Sequence, residues 1–194
     1  MKVSRERAEE NRRRIVEVAG EAFREHGFDG IGLADLMKKA GLTHGGFYGH
    51  FKSKEDLGAQ ASAAALSKNR QTLLAVTEGA KGDPLAALVT AYLSERHIKD
   101  RGAGCAFAAL GSDASRHGKP LRAVFRKGVD DYLAMLTDLV PGRTKAEKRK
   151  KAIATLSGMI GALVLARAVD DGDLAKEILT ATAASLTAPS AAKA

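Results

Sequence analysis

Apolar side chains recur along this chain at three- and four-residue intervals, and no stretch of appreciable length alternates as a strand would. Ile15, Ala19, Ala22 and Phe23 line one face of a first helix that stops at His26-Gly27, with glycine in the position that closes a helix. Leu33, Leu36, Met37 and Ala40 define a short second helix, stopped by Gly41. Thr43 is suited to cap a third, and Ser53 with Asp56 makes a capping-box start for a long fourth helix from about Lys54 to Glu78.

Downstream, Asp83-Pro84 is a cap followed by proline at the first helical position, opening a helix with Leu85, Leu88, Val89, Tyr92 and Leu93. Gly102-Ala-Gly-Cys105 breaks the chain before a helical run to about His117. Pro120 starts the next helix, bearing Leu121, Val124, Phe125, Tyr132 and Leu136, and Pro141-Gly142 ends it. Thr144 and Glu147 form a capping box for a long helix carrying Ile153, Leu156, Ile160, Leu163 and Val164. Asp170-Asp-Gly-Asp173 turns the chain into a last helix with Leu174, Ile178, Leu179 and Leu186. The pattern predicts an all-α chain of roughly nine helices. It divides into 1–52, a three-helix head, 53–188, a helical domain, and 189–194, a frayed tail.

The third helix is the least self-sufficient. Gly45, Gly46 and Gly49 each cost a helix interior about 1 kcal/mol relative to alanine. Phe47 and Phe51 stand four apart on one face, and His44 and Tyr48 four apart on another. The phenylalanines can anchor the segment in a core. The other face then offers an imidazole, a phenol and bare backbone to something that approaches closely.

Charge names the class of that partner. The 194 residues carry a formal charge of +8, which favours a polyanion. From Leu36 to Lys54 there are four lysines and no acid, so the third helix is framed by positive charge only. Arg5, Arg7, Arg12, Arg13 and Arg14, in an arm before the first helix, can follow a phosphate backbone, diluted by Glu6, Glu9 and Glu10. One cysteine excludes an intrachain disulfide and a cysteine-rich zinc site. No nucleophile elbow, zinc motif or dinucleotide fingerprint is present, so no enzyme, metal or cofactor is expected. With no apolar run approaching the roughly 20 residues of a bilayer span and a charged amino end, no membrane association is expected and the cytoplasm is the expected location.

The second helix, a tight turn at Gly41-Leu42 and the short third helix form a helix-turn-helix, whose second helix enters the major groove of double-stranded DNA. Thr43, His44, Gly45 and Gly46 would face base edges, while Tyr48, His50 and Lys54 would reach phosphates. Residues about 11–57 resemble the amino-terminal domain of TetR-family transcriptional regulators. The matching segments are Ala22-Phe-Arg-Glu-His-Gly-Phe28, Leu36-Met-Lys-Lys-Ala-Gly-Leu42 and Thr43-His-Gly-Gly-Phe-Tyr-Gly-His-Phe-Lys-Ser-Lys-Glu-Asp-Leu57. The resemblance implies that Phe47 and Phe51 are core, that Tyr48, His50 and Lys54 contact the DNA backbone and that His44 reads bases. Two positions depart from the family pattern. Gly32 stands where a capping serine or threonine is usual, and Gly49 replaces a larger side chain that often makes a contact.

For the rest of the chain, the resemblance implies a helical ligand-binding and dimerisation domain, hence a homodimeric repressor released from a palindromic operator by a small-molecule inducer. Tyr92, Phe107, Phe125, Tyr132 and Met135 recur at helical spacing and would line an apolar ligand pocket, or else simply form core. Cys105, following Gly-Ala-Gly near a helix start, resembles a branch of the family that responds to electrophiles or oxidants; a buried apolar cysteine is the competing reading. Gly158, Gly161, Ala162 and Ala166 interleave with apolar residues, so this helix needs burial on more than one side. Met159, Ile160, Leu163, Val164 and Ile178 would then form the dimer interface; a central core helix within a monomer is the competing reading. The competing function is a helical dimer that acts through a protein partner and binds DNA only non-specifically.

Overall fold

The computed structural model describes residues 5–188, which form nine α-helices and one 3₁₀ helix and, among these residues, no strand. The tail expected at 189–194 lies outside them. The chain folds into two compact units. The first holds the residues up to Lys68 together with Arg101–Gly128, and the second holds Asn69–Asp100 with Val129 onward.

In the first unit, α1 (Arg5–His26) buries Ile15, Ala19, Gly20, Ala22 and Phe23 along one face. It ends where predicted. The Gly27 N–H reaches the Phe23 carbonyl at 2.8 Å with φ at 78°, a backbone that L side chains rarely adopt. The arginines expected in an arm before the first helix instead lie within it, since α1 already begins at Arg5, with a surface Arg5–Glu9 pair at 3.4 Å. The next helix, α2 (Leu33–Lys39), buries Leu36 and Met37. Its N-cap, Gly32, supplies no side-chain cap.

The following turn is a Schellman motif. Gly41, at φ 70°, donates to the Lys38 carbonyl, and Leu42 donates to that of Met37, both at 2.9 Å. These bonds satisfy the last carbonyls of α2 and aim the chain into the short helix η1 (His44–Gly49). Then comes α3 (Lys54–Glu78), of which residues 54–68 belong to this unit. One half of the capping box is present, the Asp56 N–H donating to Ser53 Oγ at 3.1 Å, while the Asp56 carboxylate reaches one residue further back and accepts from the Lys52 N–H at 3.0 Å. The helix α6 (Ala106–Arg116) packs on α1. Arg24 Nε donates to the Gly102 carbonyl at 2.6 Å, and the Gly118 N–H donates to Glu55 at 2.9 Å.

The second unit contains α4 (Pro84–Tyr92), α5 (Glu95–Lys99), α8 (Lys145–Ala168) and α9 (Gly172–Thr187); α7 (Lys119–Leu139) gives its first half to one unit and its second to the other. The caps read from sequence hold: Asp83 accepts from Leu85 N at 2.9 Å and Thr144 Oγ1 from Glu147 N at 3.1 Å. Asp171 accepts from both Asp173 N and Leu174 N, so the aspartate-rich turn is a cap. The sequence pattern missed α5, which Ser94 caps. Within the unit α9 packs on α8 and α4, and α5 on α8. By length and composition α8 is the one helix among the described residues able to cross a bilayer. Ser157, Gly158 and Gly161 interrupt its apolar run, and Ala152, Leu156, Met159, Ala162, Leu163 and Ala166 are buried in the chain's own core.

His97 tests this second core. Its Nδ1 donates to the Tyr92 carbonyl at 2.7 Å, its ring meets Tyr92 edge-on at 4.7 Å, and Arg167 bonds its carbonyl at 2.6 Å. Burial is the main cause holding its pKa below the ordinary 6.5; the bond to Tyr92 opposes this and the Arg167 charge adds to it. The unfolded chain therefore takes up the proton first as pH falls. The stabilisation is complete above about 6.5 and declines below it, toward the folded pKa. Thermal unfolding should occur at a lower temperature at pH 5.5 than at pH 7.5, and His97→Asn should narrow that gap. An equal gap in the variant would assign the pH effect to other groups.

Candidate nucleic-acid interface

The short helix η1 is built by contrast between neighbours. Phe47 is fully buried and Phe51 nearly so, with their rings stacked at 5.5 Å. Around them Thr43, His44, Gly45, Gly46, Tyr48 and Gly49 are exposed or partly so, and His50 is half-buried. Tyr48 is 67% exposed, the highest value among the described large apolar side chains, although its ring touches Phe47 edge-on at 5.2 Å. A solvent-facing phenol held by a buried ring is poised for a partner. His44 meets Tyr48 edge-on at 6.3 Å, so the imidazole and phenol stand together as expected.

Two local features differ from the sequence expectation. The segment is a 3₁₀ helix, with Gly46 N on the Thr43 carbonyl at 3.0 Å and His50 N on that of Phe47 at 2.9 Å. Thr43 occupies the N-cap position in extended backbone, but its side chain makes no capping hydrogen bond. Its hydroxyl is thus left to the exposed face. No atom lies within 4 Å of where a Cβ would stand at Gly45 or Gly49, so both glycines leave the surface open to close approach.

Lys54 opens α3 and, with Glu55, Gly58, Phe28 and His117, lines a cavity of ≈ 330 Å³. Behind the element, the Arg12 guanidinium of α1 lies 5.3 Å from the centre of the Phe51 ring and hydrogen-bonds Gln60 Oε1. Gln60 Nε2 in turn donates to Asp56 at 2.8 Å. The Lys52 N–H first, then Gln60, hold the Asp56 carboxyl below the usual carboxylate range. Gln60 and its link to Asp56 were not singled out in the sequence. Their i, i+4 spacing on α3 is the only signal there, since Arg12 lies 48 residues from Gln60.

The other expected site residues are divided between the two units. Cys105 is fully buried and stands at the N-cap of α6. Phe107 and Phe125 meet edge-on at 5.8 Å in the first unit. Tyr92 and Tyr132 are fully buried in the second unit, where Tyr132 Oη donates to Asn69 at 2.7 Å. A cavity of ≈ 520 Å³ between α1 and α3, lined by Val16, Gly20, Ala61 and Ala64 among others, contains none of these aromatics. Of the expected interface residues, Met159 and Leu163 are fully buried within the chain itself, so no surface of theirs is left for a second subunit. Val164 is exposed, and Ile160 and Ile178 are half-buried. No group of three or more metal-ligating side chains occurs among the described residues.

Residues 15–61 match the sequence model of "Bacterial regulatory proteins, tetR family". The HTH-type transcriptional repressor NemR of Escherichia coli K12 is 28% identical over 116 residues, 58% of this chain and 58% of NemR. The HTH-type transcriptional regulator AcrR of Shigella flexneri is 33% identical over 85 residues, 44% of this chain and 40% of AcrR. The chain thus spans about half the length of the curated relatives it matches. Over nearly the whole chain, the likeness is one of fold. The crystal structure of reduced E. coli NemR superposes with a TM-score of 0.76 at 21% identity, over 92% of this chain and 95% of that one. That of a TetR-family regulator from Cytophaga hutchinsonii gives 0.79 at 19% identity, over 96% of each. Residues 15–61 thus carry the sequence pattern of the tetR family of bacterial regulatory proteins, and the helical fold of the chain is that of these solved structures.

Proposed function

We propose that the protein is a homodimeric repressor acting in the cytoplasm, released from a palindromic DNA operator by a small-molecule inducer, and that it works by binding rather than catalysis. The observation that carries this reading is the exposed Thr43–Gly46 run with Tyr48 and His50, pinned from behind by buried Phe47 and Phe51. Thr43, His44, Gly45 and Gly46 face base edges, and Tyr48, His50 and Lys54 hold phosphates. The functional division follows the sequence reading, with 1–52 as the DNA-binding head and 53–188 serving ligand binding and dimerisation. Two heads engage half-sites about one DNA turn apart, roughly 34–36 Å.

The dimer forms through the apolar surface that the chain's own packing leaves over: Ile153, Val164 and Leu165 of α8 and Leu174 of α9, with Ile160 and Ile178 beside them. An inducer favouring a head spacing that fits one half-site at a time lowers occupancy by its differential affinity for the two states. A small electrophile or oxidant acting at Cys105 is the form of inducer to test first, against the reading of Cys105 as a buried apolar residue. The thiol stands fully buried at the N-cap of α6, so only a small reagent would reach it.

Fluorescence anisotropy on DNA from upstream of its own gene, against scrambled DNA, tests the reading at several salt concentrations. Tight, sequence-dependent binding is expected. Tyr48→Phe and Lys54→Ala should each weaken it about three- to tenfold, and Lys54→Ala should lower the salt slope by roughly 1. Hydrogen peroxide should release the wild type and spare Cys105→Ser. Equal, weak binding to both DNAs, unmoved by the two head variants, would instead favour a dimer that works through a protein partner.

A further inference from the structure

We propose that Arg12, Gln60 and Asp56 form a hydrogen-bonded relay that fixes the carboxy-terminal end of the reading element, so that Gln60 is a positioning residue for DNA recognition. The inference rests on the DNA-binding reading above. Its argument begins with what η1 lacks: six residues of 3₁₀ geometry, three of them glycine, and no side-chain cap at Thr43. Such a segment has little rigidity of its own. One restraint is Phe47 in the core.

The relay is the other restraint. Asp56 takes the backbone N–H of Lys52, two residues beyond His50, at 3.0 Å, and Gln60 holds the other oxygen of that carboxylate at 2.8 Å. Arg12 closes the chain onto Gln60 and covers Phe51. All four groups lie in the first unit.

Chemistry fixes the direction of each bond. Arginine only donates and an ionised aspartate only accepts, so between them the Gln60 amide must present its oxygen to Arg12 and its NH₂ to Asp56. Rotating the amide would set oxygen against carboxylate and NH₂ against guanidinium. Glutamate at position 60 would oppose two carboxylates; lysine would oppose Arg12. The Arg12 guanidinium is thereby engaged in placing the element.

A relay of this polarity can be inverted. In Asp56→Asn with Gln60→Glu, Arg12 donates to the new carboxylate at position 60. The amide introduced at position 56 donates its NH₂ to that same carboxylate, and its oxygen still accepts from the Lys52 N–H. Net charge is unchanged. Either single substitution leaves two donors or two acceptors face to face.

The test compares the wild type, D56N, Q60E and the double variant by operator affinity across salt, melting temperature and exchange of the Lys52 amide in the free protein. Each single variant should bind about five- to tenfold more weakly, because the loosened segment must be ordered on binding. The salt slope should not move, since no phosphate contact is removed. The Lys52 amide should exchange faster at an unchanged melting temperature, and the double variant should return to within about twofold of wild type. A double variant no better than the worse single one would overturn the relay. So would a salt slope lowered by roughly 1, which marks a phosphate contact. If the wild type shows no operator preference, the functional reading falls, and Lys52 exchange in the four free proteins still decides whether the relay exists.

Discussion

Replacing Val164 and Leu165 by aspartate should yield a monomer that keeps its fold and loses its operator. Leu165 is 57% exposed, Val164 42% and Ile153 46%, all on α8, with Leu174 of α9 at 42%. Gly161, on the same helix, has open space where a Cβ would stand, so a second backbone can approach there. Within one chain about half of each side chain is left in water, so carboxylates at these partly exposed positions cost the monomer far less than at a buried one. Buried in a subunit interface, two carboxylates per chain would be desolvated without partners. Sedimentation should give the mass of one chain for the variant and of two for the wild type at the same concentration. Operator affinity should drop on the order of 10²–10⁴-fold, because the second half-site no longer binds at high effective concentration. Wild-type sedimentation from this variant would place the interface elsewhere.

Phe47→Ala should do comparable damage by a different route. Phe47 is 0% exposed while both chain neighbours are exposed, and it stacks on Phe51 and supports Tyr48. Truncating a buried phenylalanine costs about 3–5 kcal/mol, the lost burial plus the cavity left behind. Against a domain stability of about 5–15 kcal/mol, much of the head's margin goes. Hydrogen exchange should accelerate at Leu36 and Met37, and operator binding should fall to the non-specific level while the dimer persists. Phe47→Leu, which keeps most of the volume, should lose far less. Undiminished exchange protection in Phe47→Ala would mean that the ring is not the anchor.

What the sequence disclosed was local chemistry. Gly27 and Gly41 end helices because each needs positive φ, and Asp83, Thr144 and Asp56 cap through bonds spanning at most four residues. Such signals lie within one turn of chain and survive any tertiary context. The short α5 was missed because five residues carry too little periodicity to stand out. The choice of 3₁₀ over α for His44–Gly49 depends on where the core holds Phe47 and Phe51.

The interface residues show the same boundary. A helix apolar on more than one side announces that it needs two partners, not which face each takes. Only the packed chain reveals that Met159 and Leu163 turn inward and Val164 and Leu165 outward. Arg12 and Gln60 meet across 48 residues, beyond the reach of any local pattern.

The one cysteine of this chain is sealed at 0% exposure, so its surface offers labelling chemistry a blank background. A thiol introduced as Gly49→Cys, where a Cβ meets nothing within 4 Å, would be the single site that a bulky maleimide reaches quickly. A fluorophore or spin label placed there, with no native side chain removed to make room, would turn the distance between the two heads of a dimer into a directly measured quantity.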